Sequence, residues 1–286
     1  MKSSSLPIIE QVSREMRIQN YSQRTIDSYT TSLKRLMRYK AKPVEQITIT
    51  ELKDYLYHRI NVDDISVSTI NQCISAYKVL QESVLGKHWD PIKIKRPRKD
   101  KKLPIILSEE EILRMINVTR NIKHRAIIAF TYSSGLRREE VRELKPNSID
   151  SSRMQIHVKN GKGRKDRYTI LSKTTLELLR VYYKEERPKT FLFEPKNKKG
   201  THYGAETLNK IVKTAASKAK IKKDVSIHTL RHCFATHLIE HGVSLPIVQQ
   251  FMGHKSITTT TVYLHLANLR PSTIISPLDK MDVNMF

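Results

Sequence analysis

Cysteine, acidic residues and long apolar runs are all scarce in this chain. Only Cys73 and Cys233 occur among its 286 residues, so no disulfide framework is expected and a reducing compartment is indicated. The first residues lack the apolar core of a signal peptide, and no apolar run approaches the length of a membrane span. We therefore expect a cytoplasmic protein that has no membrane partner.

Two common kinds of phosphate-binding site are also missing from the sequence. It contains no Gly-x-x-x-x-Gly-Lys-Ser/Thr loop for ATP and no acidic cluster suited to a pair of catalytic metal ions. The histidines and the cysteine in residues 228–241 stand at spacings that suggest zinc, but no His-Glu-x-x-His or Cys-x-x-Cys pattern accompanies them. Arg231 lies among them and would repel a cation. We therefore expect no metal and no cofactor.

Positive charge, by contrast, is abundant. Lysine and arginine number 52 against 28 acidic residues, which gives a formal net charge of +24 and a pI near 10.0. The excess is spread along the chain and predicts a polyanionic partner, of which nucleic acid is the usual one. A ribosomal-type or merely basic protein would have a similar composition. The length allows two modest domains with separate cores.

Residues 1–90 are predicted to form a small, all-helical domain. Apolar residues recur at helical spacing over residues 8–16, and three further periodic segments follow. Each of these segments is preceded by residues that favour a helix N-terminus, namely Ser22, Thr48 with Glu51, and Ser66 or Ser68. Four amphipathic helices in about ninety residues indicate a helical bundle.

Residues 91–106 are predicted to form a basic linker. Pro97 and Pro104 oppose a helix, and nothing in the segment can form a core. A solvated spacer has the same composition, but we favour a linker whose cations displace counterions from DNA phosphates while the two domains close around a duplex. The candidate DNA-binding residues are Lys93, Lys95, Arg96, Arg98 and Lys99.

Residues 107–270 are predicted to form a second domain, mostly helical with one small sheet. Alternating apolar residues on both sides of an Asn-Gly-Lys-Gly turn predict a β-hairpin with Lys162 at or near its tip. The other expected elements are a capped helix after Ser108, a buried helix ending at Ser134-Gly135, helices over 174–186 and 207–219, and a short strand at 191–193.

Residues 227–263 contain four candidate catalytic side chains. On a helix, His228 and Arg231 share one face and can direct two donors at one small anion. His254 follows a glycine helix stop, and Tyr263 is expected on the next helix, which should begin near residue 256. Each of these residues alone is commonly structural, so the prediction depends on their convergence.

Along nearly its whole length the sequence resembles the tyrosine recombinases, or phage-type integrases. Their signature is an arginine in a Gly-Leu-Arg turn, a lysine on a β-hairpin, a His-x-x-Arg pair, a Gly-His, and a tyrosine nine residues beyond that histidine. This chain has all five in the same order: Gly135-Leu136-Arg137, Lys162 between two glycines, His228 with Arg231, Gly253-His254, and Tyr263. The resemblance implies a mainly α fold with a small β-sheet, in which a four-helix, SAM-like core-binding domain precedes an α+β catalytic domain. Arg138-Glu139 departs from the small or apolar pair usual in the family.

The chemistry that this resemblance implies is transesterification of DNA. Arg137 and Arg231 can each fork onto the equatorial oxygens of a pentacoordinate phosphate, where negative charge accumulates. Tyr263 supplies the nucleophile. Because the ordinary pKa of tyrosine is about 10, it needs a nearby acceptor or a positive potential, which His228 and the arginines can supply. Lys162 is the candidate general acid for the departing 5′ oxygen, and His254 is expected to bind the phosphate and position Tyr263.

The predicted function is site-specific recombination of double-stranded DNA, for insertion or excision of a mobile element or for Xer-type resolution. A type IB topoisomerase shares the tyrosine chemistry, and a catalytically silent DNA-binding regulator is a third alternative. The resemblance implies that the tail, residues 271–286, docks on a neighbouring protomer in a homotetramer on DNA. Accessory DNA-bending proteins and a bacterial nucleoid are the expected partners and location.

Overall fold

A computed structural model of the chain describes residues 7–90, 96–97, 103–159 and 166–267. The chain divides into two compact units, Met1–Lys102 and Leu103–Phe286, called here the N-terminal unit and the C-terminal unit. Each unit has its own apolar core. In the part of the chain that the structure describes, no helix is both long and apolar enough to span a membrane.

The described part of the N-terminal unit is helical. Its helices are α1 (Ile8–Ile18), α2 (Gln23–Lys40), α3 (Ile49–Asn61) and α4 (Val67–Val79), and the chain continues beyond α4 in one wide turn, Leu80–Val84. The N-caps are local, because Ser22 and Ser66 each accept a hydrogen bond from the backbone three residues ahead. Thr48 and Glu51 form the reciprocal capping box that the sequence predicts.

Arg96 is the only candidate DNA-binding residue of the linker that lies within the described residues. Its guanidinium donates to the backbone carbonyl of Asn71 at 3.0 Å and to Ser75 Oγ at 3.0 Å, both on α4. Its role in DNA binding stays a prediction. Lys93, Lys95, Arg98 and Lys99 lie outside the described residues.

The C-terminal unit is mostly helical and contains one small antiparallel sheet. Its strands are β1 (Ile149–Asp150), β2 (Gln155–Val158) and β3 (Arg167–Ile170), in the order β1-β2-β3. In the β2–β3 pair, Val158 lies opposite Arg167. Its helices are α5 (Glu109–Val118), α6 (Ile122–Ser134), α7 (Arg138–Glu143), α8 (Lys173–Glu186), α9 (Ala205–Lys218), α10 (Ile227–Glu240), α11 (Leu245–Met252) and α12 (Thr261–Leu266).

Two local predictions about this unit are wrong. The segment 191–193 is not a strand, because the backbone curls around a buried carboxylate: Glu194 accepts hydrogen bonds from the amides of Lys189, Thr190 and Phe191. The helix that carries Tyr263 begins at Thr261 rather than near residue 256, since a separate 3₁₀ turn, Ile257–Thr259, precedes it. Tyr263 therefore lies in the first turn of α12.

Helix α10 is the central element of the unit and packs against α6, α11 and α12. Leu230 belongs to the main core, whereas Phe234 belongs to a second cluster that contains Tyr263. The end of α6 approaches α10 so closely that only glycine fits there. Gly135 has φ +62°, and a Cβ added to it would lie 2.2 Å from the Phe234 ring. This contact brings Arg137, just beyond α6, next to α10.

Candidate active site

Arg231 is the most deeply buried charged residue of the site, with 4% of its surface exposed. It lies in the second turn of α10, which Ser226 caps through the amide of Thr229. Its guanidinium donates to the carbonyls of Gly135 and Met252, and one of its nitrogens lies 3.2 Å from His254 Nε2. Two backbone carbonyls therefore hold this cation in place without a carboxylate.

Two more arginines approach the same end of α11. Arg137 donates to the carbonyl of Gly253 at 2.8 Å, and Arg167, from β3, donates to that of Phe251 at 2.9 Å. Together with Arg231 on Met252, three guanidinium groups bind three consecutive carbonyls at a helix C-terminus, where the helix dipole favours cations. Gly253 closes this end in a left-handed conformation, and a Cβ on it would lie 2.7 Å from Arg167 Cδ.

Glu140 links two of these arginines from the other side. Arg167 binds its two carboxylate oxygens in a fork, at 2.7 Å each, and Arg137 donates to one of them at 2.9 Å. Burial acts in the opposite direction, but the hydrogen bonds and charge of Arg167 and the contacts with Arg137 hold the pKa of Glu140 down at about 2. The carboxylate therefore orients Arg137 and Arg167 together.

His254 connects the arginines to the tyrosine. Its Nε2 faces Arg231, which can only donate, so the proton of the neutral ring is on Nδ1 and points to Thr260 Oγ1 at 2.9 Å. Its ring stacks on that of Tyr263, with centroids 6.2 Å apart and planes 13° apart. Burial, followed by the charges of Arg231 and Arg137, lowers the pKa of His254 to about 4, so the ring is neutral at physiological pH.

The Tyr263 side chain is buried, and its hydroxyl lies 2.9 Å from His232 Nδ1. Burial raises the pKa of Tyr263, while the charges of Arg231 and Arg137 act in the opposite direction. The sequence suggested His228 as the acceptor for this hydroxyl, but the structure places His232 there. His228 is exposed in the first turn of α10.

The structure therefore brings together four of the six catalytic residues predicted from the sequence, Arg137, Arg231, His254 and Tyr263. His228 lies one turn before Arg231 on α10, and Lys162 lies outside the described residues. Sequence reasoning did not assign site roles to His232 and Arg167. The useful signal for His232 is its position, since it directly follows Arg231, but only the packing of α12 shows what it contacts.

The other residues with zinc-like spacing have different partners. His237 Nδ1 pairs with the Tyr132 hydroxyl at 2.8 Å, and its Nε2 lies 3.0 Å from the carbonyl of Leu107. Cys233 Sγ accepts a hydrogen bond from the Leu107 amide. Within the described residues, no three His, Cys, Asp or Glu side chains are grouped as metal ligands.

Family models cover most of the chain. Residues 106–270 match the Phage integrase family, and residues 8–91 match the Phage integrase N-terminal SAM-like domain. The chain belongs to the phage integrase family, the tyrosine recombinases. This recombinase is thus an enzyme of the class that exchanges DNA strands by transesterification. The predicted fold class, a helical SAM-like domain followed by a mainly α catalytic domain with a small sheet, is confirmed.

Individual relatives align with nearly the whole recombinase. It is 33% identical to the putative integrase/recombinase y4qK of Sinorhizobium fredii over 96% of this chain and 89% of the relative. It is 32% identical to a tyrosine recombinase of Thermosipho africanus over 88% of this chain and 92% of the relative. The XerH site-specific recombinase, solved with its difH substrate before cleavage, shares the fold with a TM-score of 0.69 at 23% identity, over 93% of this chain and 83% of that one.

Proposed function

We propose that this recombinase cuts and rejoins duplex DNA at a specific site through a 3′-phosphotyrosyl intermediate at Tyr263. The observation that carries the proposal is the convergence of one tyrosine hydroxyl with a cluster of oriented cations. Tyr263 contacts His232 and stacks on His254, and His254 in turn contacts Arg231.

The arginines supply the electrostatic part of catalysis. When a phosphodiester reacts, its equatorial oxygens gain negative charge in the pentacoordinate transition state. Backbone carbonyls and Glu140 already orient Arg137 and Arg231, so little reorganisation is needed as that charge develops. Preorganised donors of this kind are usually the largest catalytic term, and each is worth about 10²–10³-fold in rate.

Tyr263 attacks the phosphorus, a P–O bond to the tyrosine forms, and the bond to the 5′ oxygen breaks. We assign the proton for the departing oxygen to Lys162, which remains a sequence-based assignment. The energy of the broken bond is conserved in the phosphotyrosine, so a 5′ hydroxyl can attack it and reseal the strand. Recombination results when that hydroxyl belongs to another duplex.

Duplex DNA is the proposed partner because the chain carries a formal net charge of +24. The related XerH was solved with a difH substrate, which agrees with this choice. We further propose a synaptic homotetramer, in which the tail 271–286 docks on a neighbouring protomer. Deleting residues beyond 270 should preserve binding to a single site but impair paired-site recombination, and a truncated chain that recombines normally would contradict the docking.

The deciding experiment is a covalent trap. Cells that express the recombinase are lysed rapidly in SDS, the denatured protein is purified, and any attached DNA is sequenced, with Tyr263→Phe in parallel. We expect one defined sequence attached to the wild-type protein and none to the variant. The genomic position of that sequence would distinguish a mobile-element end from a chromosomal resolution site.

Two other outcomes would replace the proposal. Attached DNA of no particular sequence, together with relaxation of supercoiled plasmid, would indicate a type IB topoisomerase. Specific DNA binding that is unchanged in Tyr263→Phe, with no covalent adduct on purified DNA sites, would indicate a catalytically silent regulator.

A further inference from the structure

The Tyr263 hydroxyl has a hydrogen-bond partner that could accept its proton. An attacking tyrosine must lose its proton, and the base that takes it lies within hydrogen-bond distance of the hydroxyl, either directly or through one water. In the described residues the group at that distance is His232, whose Nδ1 lies 2.9 Å from Tyr263 Oη. The two ring centroids are 5.7 Å apart and the planes are tilted by 42°, so the contact is made edge to edge rather than by stacking.

The two other histidines of the site are less suited to this task. Both nitrogens of His254 are engaged, with Nε2 facing Arg231 and Nδ1 bound to Thr260, and its ring lies parallel to that of Tyr263. His228 is exposed in the first turn of α10, one turn before His232. Of these three histidines, all within the described residues, only His232 has a ring nitrogen hydrogen-bonded to the Tyr263 hydroxyl.

We propose that His232 is a further catalytic residue, which accepts the Tyr263 proton as the tyrosine oxygen attacks phosphorus. This inference depends on the proposed function, because it assigns the base of that reaction. The O–H bond of Tyr263 breaks, its proton forms a bond to His232 Nδ1, and the phenolic electron pair forms the new P–O bond. His232 becomes an imidazolium, and it returns the proton to the phenol when the strand is resealed.

The electrostatics of the site fit a base that works only on bound DNA. Burial, and then the charges of His228 and Arg231, lower the pKa of His232 to about 4, so the free protein holds a neutral ring that can accept a hydrogen bond. A phosphate bound between Arg231 and Tyr263 would offset this positive charge. The basicity of His232 would then rise at the moment when the nucleophile has to lose its proton.

The test replaces His232 Nδ1 with an atom that can accept a hydrogen bond but not a proton. In His232→Asn, the side-chain oxygen can occupy the position of Nδ1 and accept the hydroxyl hydrogen bond, but it cannot take the proton. Cleavage is measured in single turnover on duplex oligonucleotides that carry the sequence recovered with the wild-type protein. We expect His232→Asn to cleave about 10²-fold more slowly at neutral pH. Its rate should rise about tenfold per pH unit as more Tyr263 ionises.

A second substrate separates the base from the acid. When sulfur replaces the bridging 5′ oxygen, the leaving group needs no proton, so Lys162→Ala should recover while His232→Asn should stay slow. His241→Asn, an exposed substitution at the C-cap of the same helix, is the matched control and should cleave as wild type. Thermal unfolding of each variant shows whether it is folded.

Three results would overturn the proposal. A His232→Asn variant that cleaves as fast as wild type, or faster, would show that the hydrogen bond only holds Tyr263 in place in the free protein. A variant that is slow but is rescued by the sulfur substrate would assign His232 to the leaving group. Nitrogen NMR of the free protein that places the His232 proton on Nδ1 would show that this nitrogen cannot accept the Tyr263 proton. If wild-type protein formed no adduct at Tyr263, the proposed function itself would fail.

Discussion

Helix α10 contributes the histidine to two tyrosine–histidine pairs that have nearly equal hydrogen-bond lengths and different surroundings. Tyr263 Oη lies 2.9 Å from His232 Nδ1, and Tyr132 Oη lies 2.8 Å from His237 Nδ1. The second pair is tied to the backbone, because His237 Nε2 contacts the carbonyl of Leu107 just before α5. This second pair therefore joins α6 and α10 to the chain that enters the C-terminal unit.

The charges around the two hydroxyls differ. Burial raises the pKa of both tyrosines. Glu109 raises the pKa of Tyr132 further, whereas Arg231 and Arg137 act to lower the pKa of Tyr263. The hydrogen bond to histidine is thus common to both pairs, and the oriented arginines belong to one. The arginines, rather than the histidine contact, therefore distinguish the surroundings of Tyr263 from those of Tyr132.

The largest expected effect separates the two pairs, because a substitution in one should abolish the DNA adduct and a substitution in the other should only lower stability. Tyr263→Phe should abolish the covalent DNA adduct because the nucleophilic oxygen is gone. Tyr132→Phe should retain the adduct but lower the free energy of unfolding by about 1 kcal/mol, because His237 loses a buried partner. SDS-resistant DNA attachment and urea denaturation measure the two effects, and an adduct that survives in Tyr263→Phe would contradict the assignment.

The next effect tests the arginines. Arg231→Lys should slow cleavage by about 10²-fold or more, because a lysine ammonium cannot bind two carbonyls, His254 and a phosphate as a planar fork does. Single-turnover cleavage measures the loss. Arg125→Lys is the control, since Arg125 also donates to a backbone carbonyl, that of Thr119 at the C-terminal end of α5. Equal cleavage rates for the two variants would show that cleavage does not depend on the planar guanidinium of Arg231.

A third effect concerns Glu140, the carboxylate that orients Arg137 and Arg167. The Glu140 side chain is 8% exposed and binds Arg137 and Arg167, whereas that of its neighbour Glu139 is 41% exposed. Glu140→Gln should therefore lower the free energy of unfolding by about 3 kcal/mol, and Glu139→Gln by less than about 1 kcal/mol. Chemical denaturation at neutral pH compares them, and similar losses would mean that Glu140 is not a structural partner of the arginines.

The smallest effect is a pH dependence of stability. The pKa values of His232 and His254 are lowered to about 4 in the folded protein, so the unfolded chain binds more protons between about pH 4 and the ordinary histidine value. The free energy of unfolding should therefore fall as the pH falls from about 6.5 toward 5. His232→Asn should reduce this fall by a few tenths to about 1 kcal/mol, after allowance for solvent screening. Urea midpoints of the wild type and of His232→Asn at several pH values measure the difference. If both midpoints fell equally with pH, His232 would not be a buried, neutral histidine in the folded protein.

Features encoded by neighbouring residues were predictable from the sequence. The caps at Ser22, Thr48 and Ser108 bond to residues three positions ahead, so short motifs specify them. The glycine stops of α6 and α11 are likewise local, because each ends its helix in a left-handed conformation. The order of the recombinase motifs, read together, indicated the family and the fold.

Two other local features were not predicted, although the residues that form them are close in the chain. The local apolar pattern at 191–193 predicted a strand, but the Glu194 carboxylate binds the amides of the preceding residues. The 3₁₀ turn before α12 also escaped prediction, and it determines where Tyr263 lies along its helix. In both places, hydrogen bonding outweighed a weak local preference.

The amino-acid sequence by itself determined the helical pattern, the positive charge and the set of side chains capable of the reaction. Only the tertiary structure decided which of them meet. Arg167, on strand β3, binds Glu140, on helix α7, and α12 packs on α10 so that Tyr263 contacts His232 rather than His228. These pairings follow from the packing of whole helices around α10, and spacing along the chain does not encode that packing.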